Sequence, residues 1–366
     1  MARTRQRLSL WVLFGVGLLA CDAGASGDTR DGGPASRSDA SAAMNMDSDA
    51  GTDAASEAGM PDAAALGDAA TGAPGDALPT TLAESGLYAV GNTTTLGPGV
   101  LPFTPRFALW SDGADKQRWL WLPKGAQIDT TDMDFWLFPV GTKSWKEFSV
   151  DGKKIETRLL QKTAEGWFSI AFAWNDAETD AVAVPNGVEN ARGTDHDIPK
   201  RDACAACHEG MPDRLLGVSA IQLSHSKPGV TIASLQTSGA LSDPPSGDFG
   251  LPDTTEWNAL GYLHANCGSC HNPMAVAFDR VDLDLWLRAA TLDSASDTGS
   301  YKSLVDVALT DTESSLTKRI AVGDPDQSGV ILRMMLRGDE KAMPPLASEI
   351  PDDDGLMLMR TWISGL

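Results

Sequence analysis

Two copies of the pattern C-x-x-C-H carry the most specific chemistry in the sequence. They are Cys204-Ala205-Ala206-Cys207-His208 and Cys267-Gly268-Ser269-Cys270-His271. Two thiols about one helical turn apart can each form a thioether bond to a vinyl group of haem, and the histidine that follows can place its imidazole against the iron. The sequence therefore predicts two covalently bound haem c groups, with His208 and His271 as the proximal iron ligands.

Three other interpretations of the paired cysteines are open. A structural zinc site usually has about 15–20 residues between its cysteine pairs, whereas Cys207 and Cys267 are much farther apart in the sequence. A thioredoxin-like pair, or a disulfide within each motif, is also possible, but the helical pattern around the motifs has no βαβ unit. None of these alternatives explains why a histidine follows each pair.

The sixth ligand of the second haem is predicted from a proline-rich segment near the C-terminus. Met343 precedes Pro344 and Pro345, in a loop before a predicted C-terminal helix. Ligation by methionine and histidine raises the reduction potential of haem. Met343 is the expected ligand, Met274 is a weaker candidate, and the alternative is a loop methionine that only fills space.

The sixth ligand of the first haem is less well defined by the sequence. His225 is the leading candidate, because it ends a helix-like apolar run and could fold back. His196 and Met211 are weaker candidates. An open or water-bound iron is a further possibility and would permit peroxide or small-ligand chemistry. His264, one helical turn before the second motif, is expected to pack or to form a hydrogen bond.

The N-terminus has the features of an export signal. Three arginines precede a short apolar stretch, which ends in Leu18-Leu19-Ala20-Cys21. The stretch is too short for a spanning helix, which needs about 20 apolar residues. Its end resembles the lipobox of bacterial lipoproteins. This resemblance implies a signal peptide over residues 1–21 and lipidation of Cys21, which would anchor an exported protein to the cell envelope, in the periplasm or at the outer surface.

Residues 22–79 are predicted to be a disordered acidic linker. The segment has no aromatic residue and no lysine, and it contains eleven acidic residues against two arginines. Such a composition cannot bury enough apolar surface to offset the entropy of ordering the chain. Mutual repulsion of its charges would extend it as a tether.

The charge of the chain limits its partners. Acidic residues outnumber basic ones by 50 to 29, which gives a formal net charge of −21. Nucleic acid and anionic lipid headgroups carry the same sign, so neither is an expected partner, and the only membrane contact expected is the lipid anchor. A redox partner protein with a basic docking patch is expected instead, because opposite charges speed the encounter.

Residues 80–199 are predicted to form an all-β domain, a sandwich or small barrel. Aromatic-rich runs at 118–122 and 134–138 have the composition of strands. Asp151-Gly152 and the segment 164–166 each separate two strand-like runs and indicate hairpins. Seven of the eleven tryptophans lie in this region; they are expected to fill its core, and an aromatic platform for a sugar is the alternative.

The pattern changes to helices after about residue 200. Helices are predicted over 255–266, 328–338 and 352–363, from helical spacing of apolar residues and from capping residues. Residues 200–254 form a first haem-binding segment, too short for a cytochrome domain of its own, and 255–366 form a cytochrome c-like domain with the second haem. The predicted fold class is multidomain, with the all-β domain followed by an all-α cytochrome c-like haem region.

Several segments resemble those of a family of exported bacterial di-haem c-type cytochromes, which also carry an N-terminal β domain. The matching segments of the haem region are 262–271, Gly323-Asp324-Pro325, Met343-Pro344-Pro345 and Trp362-Ile363. Those of the β domain are 109–112, 138–142, 156–159 and Trp174-Asn175. The resemblance covers about residues 80–366. It implies haem binding and electron transfer and supports Met343 as an axial ligand, but it implies no substrate.

One-electron transfer in the cell envelope is therefore the expected function. The alternative is a haem enzyme, either peroxidase-like with one open iron or an oxidase whose β domain binds the substrate. A third interpretation is a ligand-binding module in which the haem reports redox state. The sequence does not decide whether the chain is an enzyme, and it favours an electron carrier.

Overall fold

The structure is a computed structural model that describes residues 78–366, apart from residues 209, 214, 276, 311–314 and 346–347. Within 205–207 it describes the backbone only. The predicted signal peptide, the lipidation site Cys21 and the linker up to residue 77 lie outside the described residues. No helix in the described part of the chain is long and apolar enough to cross a membrane.

A six-stranded antiparallel sheet is the largest element of the described chain, and its strands follow one another in sequence order. The strands are β1 (Leu101–Pro102), β2 (Asp115–Trp121), β3 (Lys143–Val150), β4 (Lys153–Thr163), β5 (Gly166–Trp174) and β6 (Ala181–Ala183). Both hairpin predictions are confirmed. Asp151 and Gly152, which connect β3 and β4, have φ angles of 50° and 76°, and a two-residue turn of this kind favours glycine at its second position.

The strand predicted over 134–138 is wrong. Only an isolated antiparallel bridge joins Leu137 to Asp129, and the backbone N–H of Phe138 donates instead to the Asp213 carboxylate at 2.6 Å. Trp136 and Phe138 are buried in a loop, packed with Leu215 and its neighbours. The aromatic residues of this run reflect burial in a loop and not a place in the sheet.

The two faces of the sheet differ in chemistry. One face carries Trp119, Trp145, Leu159 and Phe172, which pack with the segment around Leu82 in an apolar core. The other face carries the basic side chains of β2, β3 and β4 and borders a cavity. Four of the seven tryptophans of this region are buried, which favours the core interpretation over an aromatic platform: Trp119, Trp136, Trp145 and Trp174.

The helices are short, and within the described residues two of them reach twelve residues. They are α1 (Leu82–Ser85), α2 (Arg201–His208), α3 (Ala220–Leu223), α4 (Ile232–Thr237), α5 (Thr255–Asn266), α6 (Phe278–Val281), α7 (Gly299–Leu304), α8 (Gly329–Met335) and α9 (Asp353–Ser364). Short 3-10 turns occupy Ala191–Gly193, Ala289–Thr291, Ala295–Asp297 and Pro325–Gln327. The three helices predicted from the sequence correspond to α5, α8 and α9.

The predicted fold class is nevertheless wrong. The helices do not form a separate all-α cytochrome c-like region, and the described residues belong to one compact unit dominated by the sheet. Helical and non-helical segments share hydrogen bonds and core: Trp286 Nε1 donates to the carbonyl of Asp134 at 3.1 Å, and the backbone N–H of Ala289 donates to the Asp134 carboxylate at 2.6 Å. Phe107 packs directly against Gly261 of α5. The core shared by α5, α7, α8 and α9 also takes in Phe107 and Ile221, so it does not close within residues 255–366.

Candidate functional site

A cavity of about 1090 Å³ lies between the basic face of the sheet and the segments that carry the two C-x-x-C-H motifs. It exceeds the range of about 300–1,000 Å³ that is usual for a small-molecule pocket. The predicted site residues that line it are Cys204, His208, Cys267, Cys270, His271 and Met343. The structure thus brings residues of both motifs to one space that is large enough for a sizeable cofactor.

The second motif continues the last turn of α5. Thr254 caps the start of this helix by accepting a hydrogen bond from the backbone N–H of Trp257. After the helix, the N–H groups of Cys270 and His271 donate to the carbonyl of Cys267 at 3.1 and 2.9 Å. This turn holds both thiols and the imidazole on one short segment, as the sequence pattern predicts.

Gly268, inside the second motif, is required by close packing. A Cβ at this position would lie 2.7 Å from the carbonyl oxygen of His264 and 2.9 Å from that of Leu285. A further hydrogen bond, from the backbone N–H of Leu285 to the carbonyl of His271 at 2.8 Å, fixes the end of the motif. The backbone of the motif therefore has little freedom to move relative to its surroundings.

The His271 imidazole is suited to iron ligation. Its Nδ1 atom is buried and has no hydrogen-bond partner among the described residues. Burial, together with the charges of Arg319 and Arg333, lowers the pKa of His271. A metal ligand must be the neutral imidazole, and His271 lines the cavity. The residues present at this position fit a haem group.

The surroundings of the two thiols of the second motif disfavour the thiolate form. Burial and the neighbouring Cys270 raise the pKa of Cys267 to about 12, and burial raises the pKa of Cys270. Redox-active C-x-x-C pairs have a lowered pKa instead. Both cysteines, and Cys204, are free thiols. Within the described residues, no group of three or more His, Cys, Asp or Glu side chains is arranged to hold a metal ion, so a zinc cluster has no support there.

The first motif lies on α2, which rests on the sheet. The backbone N–H of Arg201 donates to the carbonyl of Pro185 at 3.0 Å, and the Arg201 guanidinium lies 4.7 Å from the ring centre of Phe168 on β5. Cys204 and His208 line the cavity, whereas the side chain of Cys207 is outside the described part. The sheet therefore provides the support that this short segment could not supply alone.

The segment that follows the first motif contacts the second motif. A Cβ on Gly210 would overlap the carbonyl oxygen of Ser269 in the second motif. The buried Asn272 side chain donates to the carbonyl of Gly210 at 2.9 Å and to that of Gly268 at 2.8 Å. Gly210 and Asn272 were not singled out from the sequence, where their only signal is that each closely follows a motif.

Met343 reaches the cavity from the loop between α8 and α9. Its backbone N–H donates to the carbonyl of Arg333 at 2.9 Å, and the N–H of the buried Ala342 donates to the carbonyl of Asp339 at 3.0 Å. Met343 is half-buried and lines the same cavity as His271. Met274, its competitor in the sequence, is 60% exposed and is not among the residues that line this cavity.

The candidates for the sixth ligand of the first haem are placed differently. His225 is not among the cavity residues; its Nδ1 accepts a hydrogen bond from the backbone N–H of Lys227 at 3.0 Å, and burial lowers its pKa. His196 lines the cavity, but its Nε2 lies 2.7 Å from Glu156 Oε1. Met211 Sδ accepts a hydrogen bond from Asn272 at 3.7 Å and does not line the cavity either.

His264 is a packing residue, as the sequence predicts. It is 1% exposed, its Nδ1 accepts a hydrogen bond from the backbone N–H of Leu287 at 3.1 Å, and its ring centre lies 4.0 Å from that of Trp286. Burial and the charge of Arg288 lower the pKa of His264 to about 3. The neutral imidazole thus supports the last turn of α5 from outside the cavity.

No protein-family model, no curated protein and no solved structure matches the chain. The resemblance seen in the motifs therefore gains no support from these comparisons. The residues that line the cavity carry the functional conclusion.

Proposed function

We propose that the protein is an exported di-haem c-type electron-transfer protein, tethered to the cell envelope through a lipidated Cys21. The observation that carries the proposal is the single cavity lined by residues of both C-x-x-C-H motifs and by Met343. Its volume and its position against both motifs are consistent with covalent attachment of a cofactor inside it.

Each residue of the site has a role in this proposal. The attachment residues are Cys204, Cys207, Cys267 and Cys270. His208 and His271 are the proximal ligands, and Met343 is the sixth ligand of the second haem. Haem supplies the uptake and release of one electron when it is bound. The chain itself supplies half-buried, uncharged ligands in His271 and Met343, and the residues around them would tune the potential of the site.

The close approach of the two motif segments supports electron exchange within the molecule. Gly210, two residues after the first motif, contacts Ser269 of the second motif, and Asn272 donates to the carbonyls of Gly210 and Gly268. A redox partner with a basic patch would then deliver or accept electrons at the acidic surface.

Haem content of full chains matured by a haem-attachment system tests the proposal. We expect two covalent haems in the wild type, and one in each of the double variants Cys204→Ser with Cys207→Ser and Cys267→Ser with Cys270→Ser. Ser269→Ala, inside the second motif, is the control and should retain two. A wild-type chain that binds no covalent haem contradicts the proposal.

A second candidate function is a haem enzyme with one open iron. The position of His225 favours it, because the structure does not bring this leading sixth-ligand candidate to the cavity. Absorption spectra of the oxidised protein distinguish the two functions. Two low-spin haems whose spectra do not change when cyanide is added support the electron carrier. One high-spin haem whose spectrum changes because it binds cyanide supports the enzyme.

A further inference from the structure

Three basic residues stand in one row across the sheet face that borders the cavity. Arg118 on β2 is directly opposite Lys146 on β3, and Lys146 is directly opposite Arg158 on β4. Residues opposite each other on antiparallel strands point to the same face, and the strands are about 4.8 Å apart. Lys116, two residues before Arg118, lies on the same face, and all four residues line the cavity.

This arrangement is costly unless something negative compensates it. Like charges directly opposite each other destabilise a sheet. Burial of these charges away from water adds a desolvation penalty. The chain as a whole is strongly acidic, so a general excess of basic residues does not explain the row. The pKa of Lys116 is lowered by burial and by the charges of Arg118, Lys146 and Arg158, which is a direct sign of crowding.

Acidic groups lie near two members of the row, Arg158 and Lys116. Arg158 Nε donates to Glu156 Oε2 at 2.8 Å, and Glu156 also faces His196. Asp112 is the acidic neighbour of Lys116, but its Oδ2 also accepts a hydrogen bond from the backbone N–H of Glu349 at 3.0 Å. Lys116 itself donates to the carbonyls of Leu109 and Trp110, which carry no full charge.

Arg118 is the member of the row without a partner. The residue is 8% exposed, and its side chain forms no hydrogen bond or ion pair with another described residue. Burial lowers the pKa of Arg118 to about 10, so the guanidinium keeps its charge at neutral pH. Arg319, which also lines the cavity, differs because its guanidinium donates to the carbonyls of Asp282 and Ser303 at 3.0 and 2.8 Å.

We propose that the row formed by Arg118, Lys146 and Arg158, together with Lys116, is a carboxylate-binding site inside the cavity, with Arg118 as its central contact. A guanidinium presents a planar set of donors that matches a carboxylate. The carboxylate has two possible sources, a propionate of haem held by the neighbouring motifs or a free carboxylate substrate. The first source rests on the proposed function; the second does not require it.

The experiment compares Arg118→Gln with Arg280→Gln in the haem-loaded full chain. Arg280 is exposed on α6 and is the matched control for loss of one arginine. Potentiometric titration measures the reduction potential of each haem, and calorimetry measures binding of succinate, the free carboxylate probe. Lys146→Gln is the second variant of the row, in case Arg118→Gln does not fold.

The two sources give different results. If the carboxylate is a propionate, the wild type does not bind succinate, and Arg118→Gln lowers the reduction potential of one haem. The reason is that a nearby positive charge stabilises the reduced, more negative state, and the variant removes this charge. If it is a free ligand, the wild type binds succinate saturably, and Arg118→Gln weakens that binding at least tenfold. Arg280→Gln should match the wild type in both cases.

The proposal is overturned if Arg118→Gln and Lys146→Gln match the wild type both in haem potentials and in the response to succinate. That result leaves the proposed function intact when two covalent haems are present. Conversely, a wild-type chain without covalent haem contradicts the proposed function, and saturable succinate binding that depends on Arg118 would still support the carboxylate site.

Discussion

His271 and Met343 approach the cavity from elements that are far apart in sequence. His271 follows α5, where the turn after Cys267 directs its imidazole, and Met343 comes from the loop that the carbonyl of Arg333 anchors. A neutral imidazole and a thioether are both uncharged ligands, so neither demands a buried counter-charge. This pairing would give a haem held at the second motif, as proposed above, a high potential.

Replacement of Met343 tests its role as a ligand. Met343→Ala should lower the potential of one haem and abolish the absorption band of an iron–methionine bond in the oxidised protein. Met274→Ala is the control, because Met274 is the competing methionine and is 60% exposed. If Met274→Ala has these effects and Met343→Ala does not, the ligand assignment is wrong.

His264 should make the stability of the protein depend on pH. Its pKa is about 3 in the folded state, against 6.5 for the free side chain. Between these values the unfolded chain binds a proton that the folded chain does not. The stabilisation is therefore complete above about pH 6.5 and decreases by about 1.4 kcal/mol per pH unit as the pH falls.

His264→Asn removes this dependence while its amide oxygen can still accept the hydrogen bond from Leu287. The free energy of unfolding, measured by denaturant titration from pH 4 to 8, should fall less steeply below about pH 6.5 in the variant. Above that pH the two slopes should agree, which serves as the internal control. Equal slopes at low pH would show that His264 is protonated in the folded state.

At the scale of elements, the close contact between the two motif segments is the feature on which the site depends. Gly210 lies against Ser269 where no side chain fits, and Asn272 ties the two segments together through three backbone carbonyls. The donor is buried, so loss of these bonds would leave polar groups without partners.

Gly210→Ala should destabilise the protein by about 1–3 kcal/mol, the usual cost of overpacking. Gly247→Ala is the matched control, since Gly247 has open space around its Cβ position and no positive φ. Denaturant unfolding measures both, and haem content reports whether the motif segments still meet. A Gly210→Ala variant as stable as the control would mean that the contact adapts without cost.

The sequence predicted the elements better than their assembly. The helix over 255–266 was predicted with its observed bounds, because a capping threonine precedes it and apolar residues repeat at helical spacing. The run at 134–138 was wrong because its aromatic residues are buried in a loop. The row of Arg118, Lys146 and Arg158 depends on strand register, and the contact of Gly210 with Ser269 depends on tertiary packing, so neither leaves a local pattern. The separate all-α region was wrong because the core of α5, α8 and α9 also includes Phe107 and Ile221, and the helical periodicity of a segment does not show which other segments it packs against.

At the scale of the whole molecule, charge is divided between outside and inside. The chain has a net charge of −21, whereas the cavity face of the sheet carries a row of basic residues. An acidic exterior attracts a basic partner over distances up to about the Debye length, about 8–10 Å at physiological salt. The interior row acts only on groups that have already entered the cavity.

This division predicts how electron exchange depends on salt. The rate of reduction of the haem-loaded protein by a small cationic reagent should fall as ionic strength rises, because salt screens the attraction that speeds the encounter. An anionic reagent of similar size is the control, and its rate should rise over the same range, because salt then screens a repulsion. Stopped-flow absorbance at several salt concentrations measures both. Rates that do not change with salt for either reagent would mean that electrons enter where the local charge is balanced. The expectation of a basic docking patch on the redox partner would then be wrong.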